Sequence, residues 1–330
     1  MEYLLAVLLS FVISVVLAPF VIKATKKLKF GQNILSYVES HMGKQGTPTM
    51  GGIIFIFSSI FATLFLIKGS FSICMLAMAV FLAFGMLGFL DDFIKIKCKR
   101  NLGLRAYQKV IGQLSISIIV AIFVYNNAFV GSKIYLPFSN FDFDLGVWII
   151  PFVIFIFIAT TNSVNLTDGL DGLAGSTTLI YLLGIAAITL IGIQDLDSVA
   201  MIEQKNLLIF AFAIVGGLIG FLIFNSHPAS IFMGDTGSLA LGSVVATVST
   251  FTRQELLIPI MGIMFVVSTL SVIIQVLYYK KTKKRVFLMS PFHHHLEKKG
   301  MYESKIVTIY IIITTMLSVA ALLFTIICRG

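Results

Sequence analysis

Five aspartates sit where apolar runs break: Asp91 and Asp92 in GFLDDFIK, Asp168 and Asp171 in NLTDGLDG, and Asp235 in FMGDTGS. A carboxylate beside a lipid-like segment is costly, so its repeated placement at run ends marks a site. Carboxylates flanked by glycines and lysines suit a hard cation and a phosphorylated substrate. Asp91 and Lys95 are four residues apart and share a face if the preceding run continues as a helix. Asp92, Lys95 and Lys99 follow a three-then-four spacing and lie close together in the same way. A paired acid can hold magnesium, or one acid can act as a base while the other positions the metal.

The remaining breaks carry companions for these acids. Asn165, Asp168 and Asp171 recur every three residues before an apolar run. One of them suffices to cap a helix, so an Asn and two acids among glycines suggest a loop that holds a nucleotide or a metal. Asn225 and Asp235 flank Phe232, a ring able to stack on a base, while Asp235 can also serve as the cap of the helix it opens. In SHMGKQGTPTMGG, Pro48 suits a first helical turn, and Gly51 and Gly52 permit close backbone approach. A helix start there offers N–H groups to an anion, with Lys44 and His41 as added donors. The segment PFHHHLEKKG holds His293, His294 and His295. Three adjacent histidines cannot all point one way on a helix, and no HExxH motif is present, so zinc protease chemistry is not expected. Donation from one or two of them to phosphate oxygens fits better.

What must position these residues is a membrane bundle. The chain of 330 residues is 58% apolar and 12% charged, with a mean hydropathy of +1.00. Soluble domains run at about 45–50% apolar and about 25% charged. The net charge of +9 reads as basic loops on one membrane face, and no nucleic-acid partner is expected. Cys74, Cys98 and Cys328 show neither paired nor zinc-binding spacing. Runs long enough to span a bilayer lie at about 3–22, 51–67, 71–90, 107–125, 147–164, 173–193, 206–224, 237–252, 256–279 and 305–327, predicting about ten transmembrane helices. The first has Glu2 in place of a basic n-region and is followed by lysines, so it reads as a retained helix. With ten spans, 19 of the 24 Lys and Arg fall on one side, which the positive-inside rule makes cytoplasmic, with both termini outside. All five aspartates and all five histidines fall on that side. The segment NNAFVGSKIYLPFSNFDFDLG reads as an outer hairpin or turn-rich loop.

The strings GTPTMGG, GFLDD, NLTDGLDGLAG, FMGDTGS and PFHHHLEKKG, in that order, resemble those of the polyprenyl-phosphate phosphosugar transferases. The resemblance covers nearly the whole chain. HHH followed by Leu-Glu-Lys favours the N-acetylmuramoyl-pentapeptide branch over the branches for N-acetylglucosamine or N-acetylgalactosamine phosphate. It implies an all-α polytopic integral membrane protein, with residues 1–330 forming one transferase domain in a bacterial plasma membrane and an active site formed by cytoplasmic loops. The implied reaction joins UDP-N-acetylmuramoyl-pentapeptide to undecaprenyl phosphate, with Mg2+, giving lipid I and UMP. The resemblance makes Asp235 a metal ligand, with Asn165 or Asp92 as partners, and Asp91 a base on the lipid phosphate. Asp171, Asn225 and Phe232, with the backbone at Gly169 and Leu170, match a uridine pocket. Lys44, Asp168, Lys95, Lys109 and His294 match phosphate or sugar contacts, with His293 and His295 beside them. A homodimer is suggested by the resemblance; the hydrophobic pattern marks no interface. Two other classes fit less well. A prenyltransferase would carry richer DDxxD clusters, and a transporter would place its ionisable groups near mid-membrane.

Overall fold

In lipid a backbone must satisfy its own N–H and C=O groups, and this chain does so with helices. The computed structural model describes residues 1–27, 46–98, 103–139, 141–193 and 196–329. Lys44, His41 and Lys99 lie outside the described residues. The helices are α1 (Glu2–Lys27), α2 (Gly52–Leu66), α3 (Ser72–Lys97), α4 (Ala106–Asn126), α5 (Ile149–Thr167), α6 (Leu173–Gly192), α7 (Ser198–Asn225), α8 (Gly234–Phe251), α9 (Ile258–Met261), α10 (Ile263–Thr282), α11 (Phe292–Lys298) and α12 (Glu303–Arg329).

Among the described residues, eight helices are long and apolar enough to cross a membrane: α1, α3, α4, α5 (with the short turn before it), α6, α7, α10 and α12. The expected ten runs all become helical, but two fall short of that standard. The 15 residues of α2 span about 22 Å at 1.5 Å per residue, against a hydrocarbon core of about 30 Å. In α8, Gly, Ser and Thr dilute the apolar residues, and Thr236 through Phe251 are all buried. α8 is thus enclosed by protein, chiefly α3 and α5. The run at 256–279 is also divided, because the backbone leaves helical geometry at Gly262 between α9 and α10. Pro48 precedes α2 by several residues and so does not occupy its first turn.

Small residues let these helices approach closely. A Cβ on Gly216 of α7 would collide with the Val7 carbonyl of α1, and one on Gly52 would collide with the Gly237 backbone. Polar contacts then separate the two ends of the bundle. At one end Glu203 accepts from the Ser72 N–H at 3.0 Å and the Ile73 N–H at 2.9 Å, and Asn206 donates to the Lys68 carbonyl at 2.8 Å. The expected hairpin is present as β1 (Lys133–Tyr135) paired antiparallel with β2 (Asp142–Asp144). Arg253, just beyond α8, donates to Asp142 at 2.8 Å and to the Lys133 carbonyl at 3.0 Å. The opposite end gathers the C-terminal turns of α3, α5 and α7 with the N-terminal turns of α4, α6, α8 and α12.

Candidate active site

The last turns of α3 present Asp91, Asp92 and Lys95 to the first turn of α8. Lys95 Nζ lies 2.6 Å from Asp91 Oδ2, 3.7 Å from Asp92 Oδ1 and 2.9 Å from Asp235 Oδ2. Lys109, on the first turns of α4, reaches the same Asp235 Oδ2 at 2.8 Å. Asn165, near the end of α5, donates through Nδ2 to Asp235 Oδ1 and to Ser238 Oγ, each at 2.8 Å. Four helices and seven of the named side chains therefore meet on one partly buried carboxylate and its neighbours.

Each acid has a distinct environment. Asp92 accepts from the Asp235 N–H at 3.2 Å, the Thr236 N–H at 2.9 Å and the Thr236 hydroxyl at 2.7 Å. It therefore caps α8 from another helix, meeting N–H groups that a helix start leaves unpaired. Gly234 makes this contact possible: its φ is +69°, and a side chain there would press on Asp92 and Thr49. Gly88, one turn before Asp91, leaves room for the Asp235 carbonyl in the same way. Asp91 accepts the Leu104 N–H at 2.9 Å, which ties the chain entering α4 to the end of α3.

Oxygens of Asp91, Asp92 and Asp235 lie within 4.8 Å of one another, a spacing that can hold a metal ion. Three carboxylates against the ammoniums of Lys95 and Lys109 leave one negative charge in formal terms. A hard divalent cation with oxygen ligands suits that donor set.

A second group lies on the loops after α5 and α7. Buried Asp171 Oδ2 accepts the Ala229 N–H at 3.0 Å and stands 3.1 Å from His227 Nδ1. Asn225 is buried, with Oδ1 accepting the Gly172 N–H at 3.2 Å and Nδ2 donating to the Ile231 carbonyl at 2.9 Å. It binds the two loops to each other. Phe232 pairs through its backbone with the GTPTMGG segment: its N–H donates to the Pro48 carbonyl and its carbonyl accepts the Gly51 N–H, both at 2.8 Å. The close approach expected at Gly51 and Gly52 is this one. Asp168 closes α5 and lies between the two groups. Burial raises its carboxyl well above the usual range, and the charges of Asp235, Asp92 and Asp171 raise it further.

The three histidines point three ways, as their adjacency requires. His293 is buried with its ring against Gly169. His294 Nδ1 lies 3.0 Å from Glu297 one turn later. His295 Nδ1 accepts the Leu288 N–H at 3.1 Å, and its ring lies against Phe287 and Phe292. Desolvation holds the His295 imidazole below its ordinary pKa, and Lys299 adds to this. His295 is thus committed to the fold of its own segment, whereas His293 touches the Asp168–Asp171 loop directly. Sequence reading gave no role to His227, Glu297, Thr236 or Ser238; the last two stand in the DTGS string, where their hydroxyls were the available signal.

Comparison with known proteins agrees with this arrangement. Residues 72–253 match the family model for glycosyl transferase family 4, and residues 44–56 match signature 1 of phospho-N-acetylmuramoyl-pentapeptide-transferase. A protein of that name from Clostridium novyi (strain NT) is 46% identical over 313 residues, 94% of this chain and 93% of the relative. One from Clostridium beijerinckii is 47% identical over 321 residues, 96% of this chain and 95% of the relative. With these motifs on one bundle end and identity along nearly its full length, the chain belongs to the phospho-N-acetylmuramoyl-pentapeptide-transferase family of multi-pass membrane transferases.

Proposed function

We propose that the protein transfers phospho-N-acetylmuramoyl-pentapeptide from its UDP donor to undecaprenyl phosphate, yielding lipid I and UMP at the cytoplasmic face of a bacterial plasma membrane. The observation that carries this reading is the meeting of Asp91, Asp92 and Asp235 with Lys95 and Lys109 at one end of an apolar bundle. A soluble nucleotide and a lipid headgroup can meet only at such a boundary. Both bring phosphates, so their approach needs positive charge held in place.

A phosphate oxygen of undecaprenyl phosphate attacks the donor phosphorus that bears the sugar. The bond from that phosphorus to UMP breaks, and the sugar C1–O bond is kept. Asp91 takes the proton of the lipid phosphate when that group arrives protonated. Lys95 and Lys109, now paired with the acids, exchange part of that pairing for phosphate oxygens. Asp235 and Asn165 would hold Mg2+, with Asp92, which braces the Asp235 turn, as a further ligand. Bound there, the ion would supply charge neutralisation for the transferring phosphoryl group. In this reading His294, whose Nδ1 lies beside Glu297, donates to a phosphate. Asp171 and the Gly169–Leu170 backbone bind the uracil side, with Phe232 beside them.

Detergent-solubilised protein given both substrates is expected to release UMP and lipid I with Mg2+ and to stop with EDTA. Turnover unaffected by chelation would remove the metal. Preference for UDP-N-acetylglucosamine would move the chain to another branch of the superfamily.

A further inference from the structure

We infer that Glu303 is a positioning residue for the nucleotide half of the site, clasping the Asp171 loop from the last helix. It opens α12 and has no part in the reaction described above. Its Oε1 accepts the Asp171 backbone N–H at 2.6 Å, and its Oε2 stands 3.2 Å from His227 Nδ1. His227 in turn lies 3.1 Å from Asp171 Oδ2, whose oxygen also accepts the Ala229 N–H. One carboxylate on α12 thus touches both loops that carry Asp171, Asn225 and Phe232.

The clasp acts on the backbone. A charged acceptor on the Asp171 N–H makes a stronger bond than a neutral one and fixes the plane of the Leu170–Asp171 peptide. Leu170 is buried in one apolar cluster with Ile306 and Tyr310 of α12, so the same helix holds the peptide through packing as well. Asn225 provides a second tie between the same loops through Gly172 and Ile231. Glu303 meets the Asp171 N–H and His227 in this group, while Asp91, Asp92 and Asp235 are held by contacts among α3, α4, α5 and α8. Loss of Glu303 is expected to act on the nucleotide and to leave the lipid phosphate site in place. A metal held jointly by Asp171, His227 and Glu303 fits the same spacing, but the direct hydrogen bonds already pair these groups.

The inference rests on reading these loops as the nucleotide pocket, and the test separates the two. Titration of full-length wild-type, Glu303→Ala and Glu303→Gln proteins with UDP is followed by steady-state kinetics for each substrate. Glu303→Ala is expected to weaken UDP about tenfold and to raise the donor KM alike, the scale of one charge-assisted hydrogen bond. Glu303→Gln keeps an acceptor for the Asp171 N–H and is expected to recover to within about threefold of wild type. The KM for undecaprenyl phosphate and kcat are expected to stay within about twofold. Should the alanine variant not fold, Glu303→Asp, one methylene short of both partners, replaces it with the same expected direction. Unchanged UDP affinity in a turnover-competent variant overturns the clasp and leaves the reaction standing. Equal rises in both KM values, or a glutamine variant as weak as alanine, also overturn it in favour of a general packing role. UDP weakened as expected in a protein that does not use the muramoyl donor supports the clasp and removes the proposed donor instead.

Discussion

At the scale of residues, the proposed chemistry rests on carboxylates whose neighbours differ. Asp235 has two ammoniums and an amide directed at it, whereas Asp91 meets Lys95, the Leu104 N–H and the Asp235 carboxyl itself. Replacing either acid with asparagine preserves volume and removes charge. Asp235→Asn and Asp91→Asn are each expected to lower kcat by at least about a hundredfold, the range for losing one preorganised electrostatic group. Chromatographic profile and thermal midpoint are expected to stay near wild type. Near-normal turnover in both variants would refute their assigned roles. The acids themselves were legible in the sequence because charge at the end of an apolar run is expensive. Lys109 was readable only through family likeness, because its contact spans 126 positions of sequence. His227 and Glu303 gave no local signal, since each gains meaning from a partner in a remote loop. Asp92 shows the same limit: its spacing announced a ligand, while its position makes it the cap of a helix well over a hundred residues away.

At the scale of elements, periodicity and run length located every major helix, and the errors follow from packing. The sequence of α8 resembles a weak span because its neighbours, not lipid, surround it. The break at Gly262 is hidden in an apolar run because apolar residues continue on both sides of it. The turn linking α8 to α9 carries a further consequence. Glu255 is buried there, and desolvation pushes its carboxyl up to about 8, against partial opposition from its own backbone N–H and the Arg253 charge. The folded protein therefore retains a proton that an unfolded carboxyl, at about 4.3, gives up. Stability is present below that unfolded value and falls as pH rises through the window up to about 8. The thermal midpoint in detergent is expected to drop between pH 5 and pH 8 in wild type. Glu255→Gln, neutral throughout, is expected to flatten that slope. An unchanged slope in the variant would show that other groups set it.

At the scale of the whole molecule, the polar ends of the bundle determine the expected orientation. Cys98 is exposed just after α3, at the acid-cluster end. Cys328 lies at the far end of α12, about 40 Å along a helix of 27 residues that starts beside the Asp171 loop. A Cys328→Ser variant is expected to react with membrane-impermeant maleimide through Cys98 only in inside-out vesicles. Reaction in intact spheroplasts would invert the topology and place the site on the wrong face for a soluble nucleotide. This expected orientation rests on basic-residue asymmetry in the sequence, because loop charge acts during insertion rather than through the folded contacts.

The enclosure of α8 also bears on biogenesis. A segment carrying Asp235 at its head and Gly, Ser and Thr along its length gains little by entering lipid alone. α3 and α5, which form its walls, are synthesised earlier, and α7 emerges directly before it as a long, strongly apolar helix. α8 is therefore expected to enter after the walls of its slot, α3 and α5, are in place. The acid cluster is completed at that docking step, because Asp235 joins Asp91, Asp92, Lys95, Lys109 and Asn165 only when α8 is seated.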